Sequence, residues 1–281
     1  MNKDSIVLIT GANSGIGKAT AINLAKTGAK VVMLCRNKDR GQIALQEVMK
    51  ASLNQNVELM ICDLGSLSNI REFTAAFKSR YPRLDVLINN AGVILPGYNI
   101  TSDGFELQFG VNHIGHFLLT TELLPLLEAA GNARIINVSS GAHKIGKIYF
   151  DDVNLSKNYS FWRAYAQSKL ANVLFTYSLA EKLKNSTVTV NCVHPGAVAT
   201  QLGVNRDTGF GKWIKRILQP FFLTPEKGAE TIIYLATQME NPTITGKYFV
   251  RKKLRPSSKL SYRKDLADRL WQLSEQMIES R

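Results

Sequence analysis

The chain has 281 residues, of which 45% are hydrophobic and 20% charged, and it carries a formal net charge of +13 from 35 basic and 22 acidic side chains. This length allows one large α/β domain with a substantial core, and the composition argues against extensive disorder. The charge favours anionic partners in general, whether phosphate cofactors, nucleic acid or anionic lipid, without choosing among them.

In chain order, Met1-Asn2-Lys3-Asp4 leads straight into an apolar run and leaves no room for a signal peptide. No later stretch reaches the roughly 18 uninterrupted apolar residues that a membrane span needs. Cys35, Cys62 and Cys192 are an odd number beside apolar runs, without metal-ligand spacing, so neither a disulfide nor a metal site is indicated. A soluble protein of the reducing cytoplasm is expected. Short β-branched runs at 6–9, 30–34, 57–61, 85–88, 134–138, 188–193 and 247–250 read as strands. Between them, 15–26, 40–51, 66–78, 104–127, 162–183 and 225–237 read as helices. The alternation implies parallel strands joined by right-handed crossovers. The expected architecture is thus a Rossmann-type doubly wound parallel sheet of about seven strands with helices on both faces. We expect a single domain over 1–281, with a basic C-terminal extension at 251–281. Two segments break the rhythm, a polar insertion at 141–160 and an aromatic and basic stretch at 204–224. Both would emerge at the carboxyl ends of strands, where open α/β sheets build their crevices.

The first strand ends in Thr10-Gly11-Ala12-Asn13-Ser14-Gly15-Ile16-Gly17. Glycines at a strand-to-helix turn let backbone approach a pyrophosphate at the helix N-terminus. Gly11, Asn13, Ser14, Gly15, Ile16 and Gly17 are therefore the candidate cradle, although the Gly-x-x-x-Gly-x-Gly spacing departs from the general dinucleotide fingerprint. By itself such a turn is also compatible with a purely structural role. After the second strand, where a dinucleotide fold usually places an acid for the ribose 2′-hydroxyl, the chain reads Cys35-Arg36-Asn37-Lys38. A carboxylate would repel a 2′-phosphate, whereas Arg36 offers it a planar fork of donors. NADP(H) is expected ahead of NAD(H), with Arg36, Asn37 and Lys38 at the phosphate end.

Tyr165 and Lys169 lie four residues apart in a helical segment and so share one face. With the glycine turn, Asn89-Asn90-Ala91-Gly92, Tyr165-x-x-x-Lys169 and His194-Pro195-Gly196 all in order, the chain resembles the short-chain dehydrogenase/reductase family from Ser5 to about Phe249. Tyr165-Ala166-Gln167-Ser168-Lys169-Leu170-Ala171-Asn172, Val111-Asn112-His113-Ile114-Gly115-His116-Phe117 and Thr245-Gly246-Lys247-Tyr248-Phe249 narrow the likeness to the retinol dehydrogenase-like branch. The resemblance implies that Tyr165 is the general acid/base and that Lys169 lowers its pKa and binds the nicotinamide ribose. This is sound chemistry, because a phenol near pKa 10 is a poor base at neutral pH. It also implies a substrate-orienting serine, for which Ser140 aligns best with Ser139 as the alternative, and Asn112 as the residue holding a water in a relay through Lys169.

By position, the same resemblance implies cofactor contacts from Asp63 and Leu64 at the adenine, Asn90 at the adenosine ribose and Ala91-Gly92 along the cofactor. Pro195, Gly196, Val198 and Thr200 would cover the nicotinamide, and Tyr165 and Lys169 would also touch it. The implied reaction is hydride transfer between NADP(H) and a hydrophobic aldehyde or ketone, or the corresponding alcohol, without a metal. His113, His116, His143 and His194 form no ligand pattern.

The segment 210–222 places apolar residues near one helical stripe. It could close over an apolar substrate, rest peripherally on an anionic membrane or cover the protein's own core. Two other readings compete: a catalytically idle NADP(H)-binding sensor on the same fold, and nucleic-acid binding through Arg251-Lys252-Lys253-Leu254-Arg255. That run has no interleaved aromatic platform, so a solvated face is expected there and no nucleic-acid partner. Family members commonly pair through the long helices at 104–127 and 162–183, so a homodimer or homotetramer is compatible with the sequence.

Overall fold

A computed structural model describes residues 1, 3–196, 223–237 and 243–280. The strands are β1 (Ile6–Thr10), β2 (Lys30–Cys35), β3 (Val57–Ile61), β4 (Val86–Asn89), β5 (Arg134–Val138), β6 (Thr189–His194), β7 (Lys247–Val250) and β8 (Lys253–Leu254). They form one sheet in the order β3-β2-β1-β4-β5-β6-β7-β8, parallel throughout except for the last pair. Strand order reverses between β1 and β4, which makes their carboxyl ends the switch point at which such sheets bind ligands. Register aligns the rim: Thr10 pairs with Leu34, Asn89 with Asn137 and Val138 with Val193.

The helices are α1 (Gly15–Ala25), α2 (Lys38–Ser52), α3 (Leu67–Arg80), the single turn α4 (Leu107–Phe109), α5 (Gly115–Ala129), α6 (Phe161–Lys182), α7 (Pro225–Thr237) and α8 (Lys264–Glu279). Each strand sends alternate side chains to opposite faces. Val7, Ile9, Val31, Met33 and Ile88 pack against Ala21, Leu24, Val48 and Ile232 on one face. Leu8, Val32, Leu87, Ile135 and Val190 pack against Ile70, Phe117, Leu170 and Leu174 on the other.

Caps explain where two helices begin: the Asn37 side chain accepts from Arg40 N at 2.9 Å to start α2, and Ser66 accepts from Asn69 N at 3.3 Å to start α3.

Three features differ from the sequence expectation. The segment 104–127 is not one helix: α4 and α5 are separated by a π-helical turn, Gly110–Ile114, which carries Asn112. An extra residue in the turn widens it, and such insertions mark functional positions in helices. Among the described residues the sheet has eight strands rather than about seven. Arg251 and Lys252, at φ 50° and 61°, form a two-residue reversal into β8. Hairpins of this kind favour Asn-Gly, and an Arg-Lys pair conceals one.

The basic extension also contains α8, whose Ala267, Leu270, Trp271 and Ser274 are buried. Trp271 meets Phe117 edge-on at 4.9 Å between centroids and stacks on Phe175 at 5.9 Å, so α8 covers part of the α5 and α6 faces nominated above for pairing.

Candidate active site

The cradle is built from backbone. Gly11 and Gly15 have φ of 67° and 53°, a region that favours residues without Cβ. A Cβ on Gly17 would lie 2.3 Å from Gly11 O and 2.5 Å from Asn90 Nδ2, so only glycine permits this approach. Ser14 stands at the N-cap of α1 but makes no side-chain cap, and the first turn holds no acidic residue. The first turn thus carries neither a competing acceptor from the Ser14 side chain nor a carboxylate, which suits a phosphate.

Behind the turn, Thr10 Oγ1 accepts from Asn90 N and Ala91 N at 2.9 Å each. Asn90 Nδ2 in turn donates to Thr10 O at 2.8 Å. The Asn90 amide therefore ties β4 to the cradle. At the far end of β2, Arg36, Asn37 and Lys38 are exposed, and Arg40 lies close enough to act electrostatically on the Cys35 thiol. Sequence reading missed Arg40; the helical register of α2 was the signal that could have found it. Asp63 Oδ1 accepts from Gly65 N at 2.8 Å, and Leu64 is buried against Gly115, where a Cβ would lie 2.3 Å from Leu64 O. The glycines, the cations after β2 and the missing Cβ at Gly17 together fit a dinucleotide phosphate backbone.

The second half of the site is built from side chains. Lys169 is buried in α6, its Nζ donating to Val138 O at 3.2 Å and lying 5.7 Å from the Tyr165 ring centroid. Burial pulls its pKa down to about 8. Burial raises the Tyr165 pKa, and a side-chain hydrogen bond with Ser140 opposes the rise. Ser140 thus opposes the effect of burial on the phenol.

The two serines are told apart by their bonds. Ser139 is buried and donates to Lys169 O at 2.7 Å, while Ser140 reaches Tyr165 and accepts from Ala142 N at 3.3 Å. Gly92 sits at the meeting point, where an added Cβ would lie 3.4 Å from both Asn112 Oδ1 and Lys169 Nζ.

Asn112 is fully buried. Its Oδ1 accepts from Val93 N at 2.7 Å, and its Nδ2 donates to Val93 O and Ser168 Oγ at 3.0 Å each. Its carbonyl faces His116 Nδ1 at 3.1 Å, while His116 Nε2 faces Thr10 Oγ1 at 2.9 Å. A carbonyl only accepts, so Nδ1 carries the proton and the neutral ring accepts from Thr10 through Nε2. Burial, which holds the His116 pKa at about 4, agrees with the neutral form. His116 thus links the cradle strand to the Asn112 turn.

Pro195 and Gly196 close β6, and Gly196 N donates to His194 Nδ1 at 3.3 Å. Val198, Thr200 and segment 210–222 lie outside the described residues. Among the described residues no cluster of His, Cys, Asp and Glu could hold a metal ion, and no helix is long and apolar enough to cross a membrane.

The family model for short chain dehydrogenases matches residues 5–209. The chain belongs to the short-chain dehydrogenase family. Within it, this dehydrogenase is retinol dehydrogenase-like: retinol dehydrogenase 13 of Homo sapiens is 43% identical over 277 residues, covering 97% of this chain and 84% of that protein. A crystal structure of an uncharacterised protein from Mycobacterium paratuberculosis superimposes with a TM-score of 0.79 at 35% identity, over 98% of this chain and 94% of that one. A short chain dehydrogenase from Escherichia coli complexed with NADPH matches with a TM-score of 0.70 at 25% identity, over 90% of this chain and 98% of that one. The dehydrogenase is therefore an oxidoreductase acting on CH–OH groups or the matching carbonyls.

Proposed function

We propose that this enzyme moves hydride between the nicotinamide of NADP(H) and a hydrophobic aldehyde or ketone, or the corresponding alcohol. The observation that carries the reading is the convergence of Ser140 on the Tyr165 hydroxyl, beside a buried Lys169 that borders Gly92. When bound, the nicotinamide supplies or accepts the hydride. The chain supplies the rest. Tyr165 Oη gives a proton to the substrate oxygen or takes one from it, and Ser140 Oγ orients that oxygen. Lys169, with Nζ in reach of the Gly92 strip, holds the nicotinamide ribose and biases the phenol toward its anion. Asn112 keeps the turn beside Gly92 in place and lines the path by which Lys169 is resupplied with protons.

Gly11, Asn13, Ser14, Gly15, Ile16 and Gly17 would cradle the pyrophosphate, with Asp63, Leu64 and Asn90 toward the adenosine and Ala91, Gly92, Pro195 and Gly196 along the nicotinamide half. Val198 and Thr200 belong to the same proposed set on sequence grounds alone. Preference for NADP(H) over NAD(H) is supported by Arg36 and Lys38 after β2, joined by Arg40. The NADPH named in the Escherichia coli relative points the same way. A hydrophobic substrate is supported by the retinol dehydrogenases among the relatives. A cytoplasmic setting agrees with three buried thiols raised by burial to about 11 or 12.

The test is purified protein with NADPH and a panel of hydrophobic aldehydes, beside a Tyr165→Phe variant. Loss of the general acid should lower kcat roughly 10²–10⁴-fold. NADPH oxidation by the wild type no faster than by Tyr165→Phe would overturn the enzyme reading and favour an idle NADP(H)-binding protein.

A further inference from the structure

His143 lies in the short 3-10 turn Gly141–Ile145 that follows Ser140, and it is fully buried. Its Nδ1 is 2.7 Å from the Ser140 carbonyl oxygen, and its Nε2 accepts from Ser258 N at 3.1 Å. One neighbour can only accept and the other can only donate, which selects one neutral tautomer with the proton on Nδ1. The ring therefore bridges the Ser140 backbone to a C-terminal residue 115 positions away.

The C-terminal anchor is itself secured. Ser257 Oγ bonds with Tyr177 Oη of α6 at 2.7 Å and with Ser261 Oγ at 2.6 Å, and Ser257 N donates to Tyr262 Oη at 3.0 Å. The Tyr177 and Tyr262 rings stack at 5.6 Å. On the catalytic side, Ser139 is bonded to Lys169 O while Ser140 reaches Tyr165. The Ser140 carbonyl accepts from His143 twice, from its backbone N at 3.2 Å and more closely from Nδ1 at 2.7 Å, and only the second bond carries the ring's link to the C-terminal segment.

We propose that His143 is a positioning residue that, through the Ser140 carbonyl, aims the Ser140 hydroxyl at Tyr165, with the Ser258 amide of the C-terminal segment fixing the imidazole. The proposal rests on the roles given above to Ser140 and Tyr165. The groups facing His143 are the Ser140 carbonyl, the Ser258 amide, the Tyr248 hydroxyl at 3.5 Å, His194 and Lys144. Among the described residues, those facing Tyr165 are Ser140 and Lys169.

The two ring nitrogens can be tested separately. His143→Asn places an amide donor where Nδ1 stands, His143→Gln places an amide oxygen where Nε2 stands, and His143→Phe removes both. The substrate-free readout is ultraviolet titration of the Tyr165 phenol, taken as the difference between each protein and its Tyr165→Phe counterpart, with thermal midpoints measured in parallel. His143→Asn should titrate like wild type, whereas His143→Gln and His143→Phe should titrate at higher pH, because the bond from Ser140 that opposes burial is weakened. With an active aldehyde from the panel, kcat of His143→Gln and His143→Phe should fall roughly 10–100-fold at nearly unchanged KM for NADPH. The alkaline-going limb of alcohol oxidation should move up with the phenol.

A folded His143→Gln with the wild-type Tyr165 titration would overturn the proposal. So would a shift of equal size in the Asn and Gln variants that tracks only their thermal midpoints. Failure of wild-type turnover would instead count against the reductase reading, since the titration needs no substrate.

Discussion

The two halves of the site are built from different materials. The cradle between β1 and α1 is backbone shaped by absent side chains, and its geometry depends on Gly17 lying where a Cβ would touch Gly11 O at 2.3 Å. The proton-transfer half consists of buried polar side chains, each held by a partner distant in sequence: Lys169 by Val138, Asn112 by Val93 and Ser168, and His116 by Thr10. A steric cradle should fail by losing its ligand. A buried polar network carries a cost in stability that an apolar replacement removes.

The largest expected effect separates these behaviours. Lys169→Met should lower kcat by roughly 10²–10⁴-fold while raising the thermal midpoint of the cofactor-free protein. The folded pKa of Lys169, about 8 against the ordinary 10.5 of a lysine, means that its charge opposes folding fully below about pH 8. That penalty, at most about 3 kcal/mol, is relieved as pH rises toward the unfolded value. The stability gap between variant and wild type should therefore close between pH 8 and 10.5, which thermal melts across that range would check. A variant less stable than wild type at pH 7 would contradict the argument.

Gly17→Ala should act in the opposite sense. An overpacked contact of about 1–3 kcal/mol against backbone should weaken NADPH binding roughly 10–100-fold and lower the melting temperature together. Calorimetric titration with NADPH reads the first. Gly131→Ala, where nothing lies within 4 Å of the added Cβ, serves as the control with strain from its φ of 78° alone.

Arg36→Ala tests the far end of the cradle. Loss of a charge-assisted bond, about 1.5–3 kcal/mol, should reduce the NADPH-over-NADH preference by about tenfold or more in kcat/KM. An unchanged ratio would assign the phosphate to Lys38 or Arg40.

The smallest effect is a slope. His113, His116 and His194 are held by burial at pKa values of about 3, 4 and 4 in the folded chain, against 6.5 when exposed. Their neutral forms are favoured above 6.5, and stability should fall as pH drops from 6.5 toward 4, by about 1.4 kcal/mol per pH unit for each histidine. Denaturant melts of wild type and His113→Gln at pH 6.5, 5.5 and 4.5 should show a shallower decline in the variant, whose amide can still reach Ser274.

What could be read from sequence followed the physics of each half. The parallel strands were legible because both faces of the sheet are covered, so Ile6–Thr10 and Lys30–Cys35 are continuous apolar runs. The glycine turn was legible because an absent Cβ is itself a residue type. The choice between Ser139 and Ser140 was not, since it depends on which hydroxyl reaches across to Tyr165 and which turns to Lys169 O. Nor was α8, where Arg263 at the N-cap, Lys264 and Arg269 make the segment look solvated until Trp271 is seen against Phe117 and Phe175.

By itself the sequence determined the doubly wound sheet, the cradle, the cations after β2 and the i, i+4 placement of Tyr165 and Lys169, because periodicity, missing side chains and charge are local properties. Only the tertiary structure decided that Ser140 bonds with the phenol while Ser139 turns to Lys169 O, that Asn112 sits in a π turn, that an Arg-Lys hairpin adds an eighth strand, and that the C-terminal segment reaches back to His143. Each of these depends on a hydrogen bond or packed ring between residues far apart in the chain, and such contacts exist only once the backbone has brought them together.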